Sequence, residues 1–447
     1  MQLAERLPGY GRVSQMARIS RRRAATVAIL ASIATAGAIG GPPAYRAVTG
    51  SSPTPGGANL WIDTTGGTCT RSSSLVAYSD PAACASMQAA MAACTAGDTV
   101  RMKNGTYGAQ TVTQALSTPG CTIIGESLAG VVTGQLNVSG SFITIDTATV
   151  DVGATHAAGA AMGGSNNTWR NVAIHGQFAS IDWGGATNTW DGGELGCSGC
   201  TAGQRDFCAG DAEPLVIQGA TTGVRIKRIT FWPMATVANA SCNHLETIRI
   251  DGTCNGVSCL DNIVLERNIF KGGSADNTAR VFITRPSTSP SSNPTNITLK
   301  NNFFGGQATA NDTDVHANVT SCATFVYAYN TFFGGDHAIQ CATTAGMQWI
   351  GNTGPKAGSG CFGTYVKNVW QSLVNHSCGT DAWITGADYQ HDQLGIDATG
   401  HLFNTSAARN GAETSYCLST LGAIDIDGGT RPDGPICDAG SDEYGVP

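Results

Sequence analysis

Acidic, imidazole and cationic side chains recur at matched positions in neighbouring segments of this chain. Glu246 stands just ahead of Ile248 and Ile250 in the alternating stretch Glu246-Thr247-Ile248-Arg249-Ile250. Such alternation marks a strand with one buried face. Glu213 stands in the same relation to Leu215 and Ile217, Ala279 to Val281 and Ile283, and His337 to Ile339 and Cys341. With these apolar pairs in register, Glu213, Glu246, Ala279 and His337 form one column. Asp211, His244 and Asn277 form a second, with Asp336 beside the next strand. Parallel strands lie about 4.8 Å apart, so Glu213 and Glu246 are expected one strand spacing from each other. Carboxyl groups about 5–5.5 Å apart suit retaining glycoside hydrolysis, and wider pairs suit inversion. Two close carboxylates also drive their pKa values apart, which makes an acid and a base from one residue type.

The expected catalytic set is therefore Glu213 and Glu246, with His244 as orienter or proton shuttle and Asp211 beside them. Arg249 and Arg280 alternate with apolar residues and are expected to face outward. There a cation would neutralise a uronate and permit β-elimination. His337, and Trp232 ahead of Pro233, complete the expected substrate contacts. The plainer account is that polar side chains at strand starts bond turn backbones. Lys227, Glu266 and Lys300 stack as plus, minus, plus, which reads as a surface salt ladder of small net value. Asp312, Asp314 and His316 fall in an expected insertion whose oxygen ligands suit calcium. Asp425 and Asp427 suggest a calcium loop, but the other EF-hand positions are absent. Calcium is thus the one cofactor left open, and none is demanded.

The elements that must position these groups are short repeated strands. Asn262-Ile263-Val264-Leu265-Glu266-Arg267-Asn268-Ile269-Phe270 returns as Asn296-Ile297-Thr298-Leu299-Lys300-Asn301-Asn302-Phe303-Phe304. It returns again, more loosely, as Thr324-Phe325-Val326-Tyr327-Ala328-Tyr329-Asn330-Thr331-Phe332. The column Ile229, Asn268, Asn302, Asn330, Asn352 steps by 39, 34, 28 and 22 residues. A basal coil of about 22 residues with looped-out insertions explains this shrinking step. The expectation is an all-β chain: a right-handed parallel β-helix with an Asn ladder, a Phe231, Phe270, Phe304, Phe332 stack, an N-terminal capping helix and disulfides. A β-sandwich would need hairpin turns and would show no such column.

The rest of the chain agrees. Glycine is abundant, with 58 residues, and charged residues make up only 13%, which favours turns and strands over helices. The net charge of −7 and the lack of a basic stripe beyond the N-terminus exclude a nucleic-acid partner. Residues 1–41 read as a signal peptide or membrane anchor, a basic start followed by a small-residue apolar run. Residues 42–58 read as a Pro/Ser/Gly linker, 59–97 as an N-terminal cap, 98–370 as the β-helix and 371–447 as a C-terminal tail module. The cap helix is expected from Pro81 to Cys94, capped by Asp80. Sixteen cysteines in a chain with a secretory start point to disulfides rather than zinc. Local pairs would be Cys69 with Cys84, Cys254 with Cys259, and Cys417 with Cys437. A membrane contact is expected only if the leader stays uncleaved.

Gly97-Asp98-Thr99-Val100 through Asn104-Gly105-Thr106-Tyr107 resembles the opening coil of pectate-lyase-like right-handed β-helix proteins. Asp425-Ile426-Asp427-Gly428-Gly429-Thr430-Arg431 through Asp438 to Tyr444 resembles the tail module of many secreted bacterial β-helix proteins. The resemblance implies an extracellular bacterial protein, expected to be monomeric, with a polysaccharide or glycan partner. It implies a lyase or glycoside hydrolase working in a cleft on the side of the β-helix, or a non-catalytic, adhesin-like glycan binder. The lyase branch's catalytic Lys/Arg signature is not visible in the sequence.

Overall fold

In each coil one residue turns the chain. Arg228, Arg267, Asn301, Tyr329, Gly351 and Lys367 all have φ between 52° and 60°. Non-glycine residues seldom adopt this left-handed region, yet here it recurs directly before every member of the Asn column. The bend divides each coil into two short strands, and a third strand closes it. In the computed structural model these strands stack as a right-handed parallel β-helix. All pairings between its strands are parallel, and parallel neighbours joined by crossovers wind right-handed. The model describes residues 56–152, 159–175, 181–196, 214–233, 246–252, 260–271, 279–285, 293–305, 313–332, 336–355, 363–372, 379, 382–385, 396–397, 401–412, 414–417, 424–431 and 436–444.

Among the described residues there are three faces. The first runs from Leu60–Ile62 and Thr99–Met102 up to Thr364–Val366, and the second from Gly105–Tyr107 to Ala382–Thr385. Long strands such as Thr189–Leu195 and Arg225–Phe231 pass through the bend and serve both. The third face is a nine-stranded sheet from Gln110–Val112 to Asp336–Ile339.

The Asn column is a buried hydrogen-bonded ladder. Asn268, Asn302 and Asn330 each donate their backbone and side-chain amides to the Oδ1 of the next Asn, at 2.9–3.0 Å. Asn352 does the same to Asn368 at 2.8 Å, adding a rung 16 residues on. Each Nδ2 also donates to a carbonyl of the preceding coil, as Asn302 does to Leu265. All five are fully buried with these bonds made, which is the condition for burying amides without penalty. Directly inside it, the rings of Phe231, Phe270, Phe304 and Phe332 stack at 4.6–5.0 Å. Trp169, Trp183 and Trp190 pack against one another in the coils before, so these indoles are core and not sugar platforms.

At the N-terminal end the helix is shorter than the sequence suggests. Asp80–Ala82 is a 3-10 turn, and the α-helix is Met87–Ala93. Ser86, not Asp80, caps it: its side-chain oxygen accepts from Ala89 N at 3.1 Å. Pro81 therefore shapes the turn ahead of the helix. Met87, Ala90 and Met91 close the open end of the core against Ile62 and Met102.

At the other end the tail covers an apolar strip on the outside of the coils. Phe270, Tyr327, Trp349 and Trp370 point inward, so their neighbours Ile269, Ala328, Ile350 and Val369 point out. These four pack against Ile396, Leu402, Ala408, Ile426 and Ala439. Ser441 N donates to Thr331 Oγ1 at 2.8 Å, and Gly440 N to Gly351 O at 2.6 Å. A side chain at Gly440, whose φ is +103°, would meet Thr331 and Thr353 at 2.7 Å, which explains a glycine there. The described disulfides are Cys69–Cys84, Cys94–Cys121, Cys322–Cys341 and Cys417–Cys437. Two of the three expected pairs are among them. Cys254 and Cys259 lie outside the described residues.

Candidate functional site

The register of the third face decides where the expected site residues fall. Ile248 and Ile250 pair with Leu215 and Ile217 on one side and with Val281 and Ile283 on the other, as the sequence implies. Glu246 pairs with Ala279. Strand alternation then puts Glu246 on the same side as Ile248 and Ile250, facing the core, and it is 1% exposed. Such a carboxylate does not face a cleft. Glu213, Asp211 and His244 lie outside the described residues.

Three expectations change. Arg280 does face away from the core, yet it is fully buried, and its Nη1 meets Asp314 Oδ1 at 2.6 Å. It is a structural ion-pair partner and not an open clamp. Asp314 and His316 lie in the strand Thr313–Asn318 rather than in an insertion, because that strand pairs with Ala279–Thr284. His337 does not join the Glu246 column. Ile339 pairs with Ala317 and His337 with Val315, so His337 falls in line with Ile248, while Asp336 stands opposite Thr313 at an irregularity in the register. The sequence gives no sign of that irregularity. Arg249 does face outward, half-buried, with its Nη2 at 3.0 Å from Asp251 Oδ2.

The described residues that do converge lie across the same turns, at the end of the second face. His175 ends the strand Thr168–His175, and Glu194 lies near the end of Thr189–Leu195. Trp232 follows Arg225–Phe231, and Lys271 follows Ile269–Phe270. Successive coils thus present these side chains along one edge. His175 Nε2 lies 2.9 Å from Glu194 Oε1, and Trp232 Nε1 donates to Glu194 Oε2 at 2.7 Å. Lys271 Nζ stands 6.0 Å from the centre of the Trp232 ring, within cation–π range. Gly196, with φ +79°, lets Trp232 pack close: a Cβ there would lie 3.1 Å from that of Trp232.

Burial pushes the Lys271 amine below its ordinary pKa, and the Asp397 charge in the tail partly opposes this. A half-buried amine of lowered basicity and an imidazole held by a carboxylate are groups able to move protons, and the fixed indole beside them is a sugar-sized platform. Of these four, Trp232 was expected from its place before Pro233. His175, Glu194 and Lys271 were not. The signal that could have found them is their common position, at or next to the last strand residue before each inserted segment.

The expected ladder of Lys227, Glu266 and Lys300 is present on the outer side of the first face. Glu266 pairs in register with both, and its carboxylate lies 3.5 Å from Lys300, while Lys227 reaches Asp191 at 3.1 Å.

No family model and no curated protein matches this chain. Among solved structures it is similar to the pectate lyase Pel9A, with a TM-score of 0.48 and 16% identity over 86% of this chain and 96% of that one. It is also similar to a PL6 family polysaccharide lyase from Pseudopedobacter saltans, with a TM-score of 0.40 and 10% identity over 66% of this chain and 89% of that one.

Proposed function

We propose that this protein is a secreted carbohydrate-active enzyme that cleaves an acidic polysaccharide by β-elimination along the edge formed by His175, Glu194, Trp232 and Lys271. The observation that carries this reading is the Lys271 amine: desolvated, lowered in basicity and set over the indole that Glu194 holds. In this reaction a base takes the proton next to a uronate carboxyl. The electron pair forms a carbon–carbon double bond, the glycosidic C–O bond breaks, and the leaving oxygen takes up a proton. Neutral Lys271 is the base. The ammonium this forms at Lys271 gives the proton back to the leaving oxygen, while His175, held by Glu194 and three strand steps from Lys271, lines the edge for a neighbouring sugar unit. Trp232 supplies the face on which the sugar rests. Arg249, outward-facing on the third face, is the candidate partner for the substrate carboxylate.

Lysine as base favours elimination over hydrolysis, because hydrolysis needs two facing carboxyl groups. Among the described residues Glu246 is turned to the core, so it cannot pair with Glu194 across an open cleft. The disulfides support an oxidising, extracellular setting. The test is a panel of uronate-containing and neutral polysaccharides, read by ultraviolet absorbance of unsaturated product and by new reducing ends. Absorbance lost in Lys271→Ala with the fold retained supports the assignment. Reducing ends without absorbance would make the enzyme a hydrolase. Binding without either would make it a glycan-binding β-helix.

A further inference from the structure

In the tail, three side chains from separate segments point at one another. His401, Asp427 and Asp442 each offer a ligand atom, all within 4.8 Å of one another. His401 Nε2 lies 2.8 Å from Asp427 Oδ2. On the other side of the ring, Nδ1 lies 3.6 Å from Asp397 Oδ2. Asp442 is buried, and its Oδ2 accepts from Leu402 N at 2.8 Å. Asp425 gives the independent sign. It is 0% exposed, and its Oδ1 accepts from Gly429 N at 2.6 Å, while its buried Oδ2 meets no donor. Arg431 is the main charge acting on the Asp425 carboxylate, which also feels Asp427 and acts on Asp442. A buried carboxylate oxygen without a donor is costly, and added positive charge in this part of the tail would lower that cost.

We propose that His401, Asp427 and Asp442 bind a divalent transition ion of the zinc type, with Asp425 completing the charge around it. An imidazole with carboxylates is a nitrogen and oxygen donor set, which suits zinc better than calcium or magnesium, whose ligands are oxygens. Asp397 behind the ring holds the role of the carboxylate that orients a ligating histidine through its other nitrogen. The ion would join the segment ending at Asp397, the turn at His401–Leu402, the loop Asp425–Gly429 and the Ser441–Glu443 end. These are the pieces that carry Ile396, Leu402 and Ile426 onto the coils. The site is therefore a staple for the tail, independent of the polysaccharide reading.

The test uses the full chain stripped with a chelator, then titrated with zinc, manganese or calcium by calorimetry and followed by thermal melting. Zinc is expected to bind at one per chain and to raise the melting temperature. Asp427→Asn, at an exposed position, is expected to weaken zinc by about 10–100-fold or more while the stripped variant melts as the stripped parent does. Tighter zinc binding at pH 8 than at pH 6 is also expected, because the imidazole must give up its proton to the ion. Zinc binding that is unchanged in both Asp427→Asn and His401→Gln would overturn the site. So would no zinc effect on the parent. Calcium binding that outcompetes zinc would overturn the ion class.

Discussion

Trp232 Nε1 donates to Glu194 Oε2 at 2.7 Å, although 38 residues separate them. The bond crosses one step of the helix, from the end of one second-face strand to the end of the next. It holds an indole upright at the rim, where Lys271 reaches over its ring. Replacing Trp232 by Phe keeps an aromatic face but removes the donor. We expect it to raise KM for an oligosaccharide with a smaller change in kcat. Trp232→Ala should raise KM further. Equal kinetics in both variants and the parent would remove this residue from the site.

Lys271 sets a pH dependence. Its amine accepts a proton only when neutral, and burial lowers its pKa. Activity should rise with pH along a limb whose midpoint lies below the ordinary lysine value of 10.5. Stability follows the same sign. Between the folded and unfolded pKa values the unfolded chain holds more protons, so folding at this group gains as pH rises through that window. A rate profile with no Lys271-dependent limb would contradict the assignment.

Asn330 tests the ladder. Its Oδ1 accepts from both amides of Asn302, and its own amides donate to Asn352 and Leu299. Asn330→Ala leaves two buried donors of Asn302 without an acceptor, at about 1–3 kcal/mol each. A loss of at least ~2 kcal/mol by chemical denaturation is expected. Asn330→Asp, which keeps the acceptor, should cost less when protonated at low pH than at neutral pH.

Arg280 and Asp314 separate a structural from a substrate role. Arg280→Met alone removes the charge partner of a buried carboxylate, a change that typically costs on the order of 3–5 kcal/mol. Arg280→Met with Asp314→Leu should recover most of that loss. Activity should return with stability in the double variant. Stability recovered without activity would restore Arg280 as a substrate contact.

Arg71 governs acid opening of the N-terminal cap. Its hydrogen bond to Asp98, chiefly, and the Thr95 amide hold the Asp98 carboxyl below its ordinary value against the opposing effect of burial. The stabilisation is present above the unfolded carboxylate pKa and is lost as pH falls through the lower, folded value. Arg71→Gln should therefore lower the melting temperature at pH 7, by an amount that shrinks as pH falls below the ordinary carboxylate range. A deficit that stays constant as pH falls would contradict it.

Much of the scaffold was legible in the residues. The Asn column could be counted because each rung uses the same side chain for the same bond, and that need survives insertions of any length. The phenylalanine stack follows the same rule. Sequence resemblance to pectate-lyase-like β-helix proteins agrees with the observed coils. The candidate site was less legible. Glu246 looked like a cleft acid, although its place two residues before Ile248 puts it on the core side of an alternating strand. His337 fell out of the column because Ile339 pairs with Ala317, in line with Ile250 and not with Ile248. Register of that kind depends on how neighbouring strands settle, not on the alternation within either.

The sequence by itself determined the parallel coil, its repeat length and its stacked columns. These rest on short-range periodicity, which fixes which side chains recur one coil apart. The tertiary structure alone decided that Arg280 is sealed against Asp314 and that His175, Glu194, Trp232 and Lys271 share an edge. It also brought His401, Asp427 and Asp442 together in a tail folded back over Ile269 and Val369. Those facts depend on the packing of segments far apart in the chain, and no local pattern encodes the distance between them.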